Sequence, residues 1–201
     1  MRSKSCLFSL FLSVAIATFS FVCASAAYGQ ESNHITREYM RLFQSYEVGD
    51  ILTNEDSEFV RNYLIKDKLL NPLHDTVIGS FRTTGNVNES DSQFGTSVTL
   101  TGTVWHTGTF NYNFGGRLNG YVTAGPVPKN MTITVYCMAW GLEGSQLGLA
   151  YKDQVSHTVY NSKSIYMNKS KNYTGISAVH SINTSLDVTT ASGAGFTVNA
   201  K

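Results

Sequence analysis

Residues 131–140 read MTITVYCMAW, and the alternation within them decides the fold class. Met131, Ile133, Val135, Cys137 and Ala139 fall on one side of an extended chain, and Thr132, Thr134, Tyr136, Met138 and Trp140 on the other. Successive side chains of a strand point to opposite faces, so an apolar row set against a mixed row predicts a β-strand with one buried face. The same period recurs upstream in SVTLTGTVW, residues 97–105, where Val98, Leu100 and Val104 alternate with threonines. Six more stretches carry it: TVIGSFRTT, TGTFNYNF, RLNGYVTAG, QVSHTVYNS, YTGISAVHSIN and AGFTVNA. Gly, Asn, Ser and Thr punctuate them as turn residues do. About eight antiparallel strands over residues 75–201 predict a β-sandwich or a small barrel. The Asn-, Lys- and Ser-rich run NSKSIYMNKSKN, residues 161–172, reads as an exposed hairpin loop.

Before residue 75 the period changes. In SNHITREYMRLFQSY, residues 32–46, Ile35, Tyr39, Leu42, Phe43 and Tyr46 recur at spacings of three and four, the stripe of an amphipathic helix. Asn33 is placed to cap it, and Gly49–Asp50 to end it. A second helix is expected from Asn54. Glu55, Asp56 and Glu58 would lie in its first turn, Phe59, Val60, Tyr63, Leu64 and Leu69 on its apolar face, and Asn71–Pro72 at its stop. Residues 27–75 carry nine acidic and five basic side chains, whereas residues 76–201 carry five acidic and eight basic ones. The chain therefore divides into an acidic helical segment, 27–74, and a mildly basic β domain, 75–201. The helical stripe is expected to pack on one face or end of the sheet, with Phe59 and Leu64 extending the contact.

The first 26 residues have the layout of a secretory signal: basic Arg2 and Lys4, an uncharged apolar stretch from Cys6 to Val22, and the small-residue triplet Ala24–Ser25–Ala26. Val22 before Cys23 is wrong for lipoprotein processing, which wants a small residue there. Cleavage after Ala26 and a secreted, extracellular protein are expected. Cys6 and Cys23 leave with the signal, so Cys137 has no partner for an internal disulfide, and the fold must rest on an apolar core. On its apolar row Cys137 reads as a buried, inert thiol. Sequons at Asn88, Asn130, Asn168, Asn172 and Asn183 would matter in a glycosylating host.

No catalytic signature is visible. The chain has no nucleophile elbow, no phosphate loop and no carboxylate pair at a telling spacing. His106, His157 and His180 stand on separate strands and are the only weak set of metal ligands. No cofactor is expected, and the basic residues are too few and too dispersed for a nucleic-acid partner. The aromatic residues offer more. Trp105, Tyr112, Tyr136, Trp140 and Tyr160 stand beside Thr and Asn, a combination that suits a glycan or a partner protein, because each ring gives a stacking face and a polar edge. The alternative for these rings is a second layer of core. The reading that follows is a secreted, non-enzymatic binder of an extracellular partner or cell-surface glycan. The alternative is a bacteriocin-like, membrane-active toxin, in which the amphipathic run 95–125 would insert as hairpins.

Overall fold

The computed structural model describes residues 34–65, 81–108, 111–143, 146–175 and 179–200. The expected signal segment, with Cys23, lies outside the described residues, as do the helix cap Asn33, His74 and the helix stop at Asn71–Pro72. Eight strands follow two short helices: β1 (Phe81–Gln93), β2 (Thr96–Gly108), β3 (Asn111–Ala124), β4 (Asn130–Glu143), β5 (Gln146–Tyr160), β6 (Ser164–Thr174), β7 (Val179–Thr189) and β8 (Gly195–Asn199). They form two antiparallel four-stranded sheets, ordered β1-β2-β3-β6 and β5-β4-β7-β8. The sheets face each other, so the architecture is the sandwich that the alternation predicts rather than a closed barrel.

The core between the sheets takes the odd-numbered row of β4, from Met131 to Cys137. Val98, Leu100 and Val104 of β2, Phe114 and Leu118 of β3, and Leu186 and Val188 of β7 meet it. At one lateral edge of the sandwich an ion pair between Asp153 of β5 and Lys171 of β6 ties the two sheets together.

Three details differ from the sequence reading. Residues 107–114 and 117–125 are not two strands: β3 runs unbroken through Gly115–Gly116. A Cβ on Gly115 would lie 2.3 Å from the Lys169 carbonyl oxygen, and one on Gly116 would lie 3.0 Å from Leu118 and Val135 side-chain atoms. These glycines admit close neighbours and do not make a turn. The run 161–172 is not a loop, because most of it is the edge strand β6. Ile165, Met167 and Tyr173 enter the core while the lysines and asparagines stay exposed, a pattern that protects an open edge. Tyr173 and Thr174 close that strand, and β7 begins only at Val179.

Helix α1 covers residues 34–45 and α2 covers Asn54–Phe59, continued by a wider π-helical turn, Val60–Ile65. The α2 cap is Thr53, one residue before the expected Asn54, and its hydroxyl accepts from the Asp56 backbone N–H (3.2 Å). Between the helices, residues 49–52 pair with the edge of β5 through backbone bonds from Gly49 N to Leu149 O (2.8 Å) and from Leu52 N to Leu147 O (2.9 Å). Tyr39, Leu42, Leu52 and Val60 pack against Met138, Trp140, Leu147 and Leu149, with Phe43, Tyr46, Phe59 and Leu64 around them. The helical stripe thus docks on the outer face of the β4–β5 half-sheet, as expected. Lys152 fixes it, donating to the Tyr46 carbonyl and the Glu47 carboxylate at 2.8 Å each. In consequence this part of β4 is buried on both faces.

Candidate functional site

Two places have the makings of a site. The first is the outer face of the β1-β2-β3-β6 sheet. Its β2 row is Ser97, Thr99, Thr101, Thr103, Trp105 and Thr107, and the register sets Arg117, Asn119 and Tyr121 of β3 and Tyr166, Asn168 and Asn172 of β6 on the same side. Hydroxyls pair across the strands: Ser90 with Thr99 (2.9 Å) and Ser92 with Ser97 (2.8 Å). Near one end of this face the Trp105 indole N–H donates to the Asn113 side-chain oxygen (2.8 Å), and the Asn113 amide donates in turn to Asn172 (2.6 Å). This relay crosses β2, β3 and β6 and holds the indole in place. Beside it lies an open depression of about 410 Å³ lined by Thr103, Trp105, Thr107, Arg117 and Asn168. Measured from the level of Trp105, which pairs with Gly115, Tyr121 of β3 (41 % exposed) stands six positions farther along, about 20 Å, and Tyr166 of β6 (51 % exposed), opposite Asn119, four positions, about 13 Å.

The second place is a cleft of about 380 Å³ between the helices, the β1–β2 edge and β7. Its floor holds His106 and His180, whose rings stack with centroids 4.0 Å apart. The Tyr173 hydroxyl joins them, 2.8 Å from His106 Nε2 and 3.0 Å from His180 Nδ1. One hydroxyl can donate to one imidazole nitrogen and accept from the other. Tyr112 and Tyr151 stack on Tyr173 at 4.9 and 3.6 Å. Burial, followed by neighbouring Cys137, Tyr112 and Tyr151, holds the Tyr173 hydroxyl well above the ordinary tyrosine range, so it stays protonated.

The five aromatic residues singled out in the sequence do not converge. Trp105 lies on the outer face, and Tyr160, 71 % exposed, lies at the far end of β5 on the other sheet. Of the remaining three, Tyr112 and Trp140 are buried and Tyr136 is partly covered. Tyr112 shares the inward row of Phe114 and Leu118 and is buried. Trp140 is fully buried under the helices, and Tyr136 packs edge-on against Phe43 with ring centroids 5.1 Å apart. Of the three histidines, His106 and His180 meet, whereas His157 lies opposite Ile133, four register positions from the level of Cys137. Among the described residues no group of three or more His, Cys, Asp or Glu side chains is placed to hold a metal ion.

Arg117, Asn113, Tyr121 and Tyr166 were missed. The signal for the β3 members was present, since Arg117, Asn119 and Tyr121 alternate with Leu118, Gly120 and Val122 and must face away from the core. Nothing in the local sequence of Tyr173 marks it as the partner of two histidines. No protein-family model matches the chain, and no curated protein matches its sequence.

Proposed function

We propose that this protein is a secreted, non-enzymatic β-sandwich that binds a cell-surface or extracellular glycan along the outer face of the β1-β2-β3-β6 sheet. The observation that carries this reading is the Trp105–Asn113–Asn172 relay, which holds an indole beside Arg117 and Asn168 on a face of hydroxyl and amide groups. Sugars present C–H faces that pack on an aromatic ring and hydroxyls that exchange hydrogen bonds with guanidinium and amide groups. A side chain already held in its binding conformation loses little entropy when the ligand arrives. The spacing of Trp105 from Tyr121 and Tyr166 favours an extended oligosaccharide over a single sugar. Secretion is supported by the signal-like segment at residues 1–26.

The membrane-active alternative has less support. Strands β2 and β3 lie inside their sheet, flanked by β1 and β6, so releasing them as an inserting hairpin would break ladders on both sides. Retention of the purified protein on a panel of immobilised polysaccharides tests the proposal. Trp105→Ala is expected to weaken retention on the preferred polymer at least tenfold, about 1.4 kcal/mol, while Tyr160→Ala leaves it unchanged. Release of dye from liposomes, with no polymer retained, would replace this reading with the toxin.

A further inference from the structure

The cleft above His106 and His180 is independent of the glycan face. Helix residues Ile35, Tyr39 and Leu64 form one wall, and Val87, Val104 and Ile182 the other. Asn86 and Asn183 add amides. No Lys, Arg, Asp or Glu is among the described residues that line it.

The space is not a by-product of backbone strain. Gly85 of β1 faces the cleft opposite Val104, and a Cβ built on it would meet only the Val104 Cγ2 atom, at 3.4 Å, an ordinary van der Waals contact. Its φ is not in the left-handed region, unlike those of Gly95 or Gly125. A side chain could therefore stand at position 85 and fill part of the opening. The open volume falls within the usual range for sites that take small molecules.

We propose that this cleft binds a small, uncharged, largely apolar molecule. No Lys, Arg, Asp or Glu among the described lining residues offers a counter-ion to an ionic ligand, which would lose its hydration there. The apolar walls supply contact area. The Asn86 and Asn183 amides supply neutral hydrogen-bonding groups that fix orientation.

The uncharged fluorophore N-phenyl-1-naphthylamine serves as probe, titrated into the full-length protein. Saturable one-to-one binding with blue-shifted emission is expected. Gly85→Phe and Ala200→Phe, which fill the cleft from opposite sides, should each weaken binding at least tenfold. Gly85→Ala and Trp105→Ala should keep it within twofold. Circular dichroism and melting temperature establish which filling variant is folded, and Ala200→Phe, near the chain end, decides if Gly85→Phe is not. Absence of saturable binding to the wild type overturns the proposal, and so does a folded filling variant that binds as the wild type does. Because polysaccharide retention is read separately, failure here leaves the glycan reading standing.

Discussion

Cys137 sits on the inward row of β4 with no exposed surface and lies against the Tyr173 hydroxyl. Cys137→Ala is expected to lower stability by about 1–2 kcal/mol through a small cavity, read by chemical denaturation. A bulky maleimide should leave the native thiol unlabelled, and rapid labelling would contradict its burial. Trp105 and Trp140 show how far a residue can be read alone. Both belong to mixed rows of Thr and aromatic residues, and local sequence does not tell them apart. Trp105 remains on an uncovered face with its N–H donated to Asn113, whereas Trp140 is sealed beneath α1 and α2 and its N–H has no partner among the described residues. Burying that donor is offset by the apolar area that the indole removes from water. Tyr112 is a different kind of miss. Its parity with Phe114 and Leu118 along β3 turns it inward, a register that outweighs the polar residues beside it.

At the scale of elements, the helical segment is held by one carboxylate as well as by its stripe. Asp56, in the first turn of α2, accepts from the Arg41 guanidinium and from the Tyr46 hydroxyl, which joins the end of α1 to the start of α2. Burial pushes its carboxyl pKa up, but the bonds from Arg41 and Tyr46 outweigh this and leave it below the ordinary carboxylate value. A pKa lowered on folding stabilises the native state above the unfolded pKa of about 3.9, and that contribution is lost as the pH falls through the lower folded value. Asp56→Asn should therefore cost about 1–2 kcal/mol near pH 7, discounted because Arg41 is largely exposed. The melting temperatures of wild type and variant should converge below about pH 4. A gap that persists in acid would show that the carboxylate charge is not what matters. The existence and stripe of both helices were legible, because their period is local. The cap at Thr53 was missed by one residue, since Thr53 and Asn54 are both competent and only geometry selects between them.

For the whole molecule, the helices are part of the core rather than an appendage. They cover Met138, Trp140, Leu147 and Leu149, which among the described residues have no other cover on that face. A chain lacking residues 27–72 is expected to aggregate or unfold, as judged by size-exclusion chromatography and near-ultraviolet circular dichroism. A soluble, folded truncation that gains binding or lytic activity would instead make the segment a removable cover. The sequence by itself determined the two periods, the mainly antiparallel β class, the helical stripe, the inward row of β4 and the burial of Cys137. Each of these depends on residues two to four apart, and such spacings fix which side of an element is apolar. Tertiary structure alone decided what lies against each side: that the mixed row of β4 is covered and that of β2 is not. It also brought His106, Tyr173 and His180 from three strands to one cleft floor. The reason is physical. Period two separates two faces without saying which neighbour covers either, and the covering depends on contacts between distant segments, set by the total apolar area they bury together.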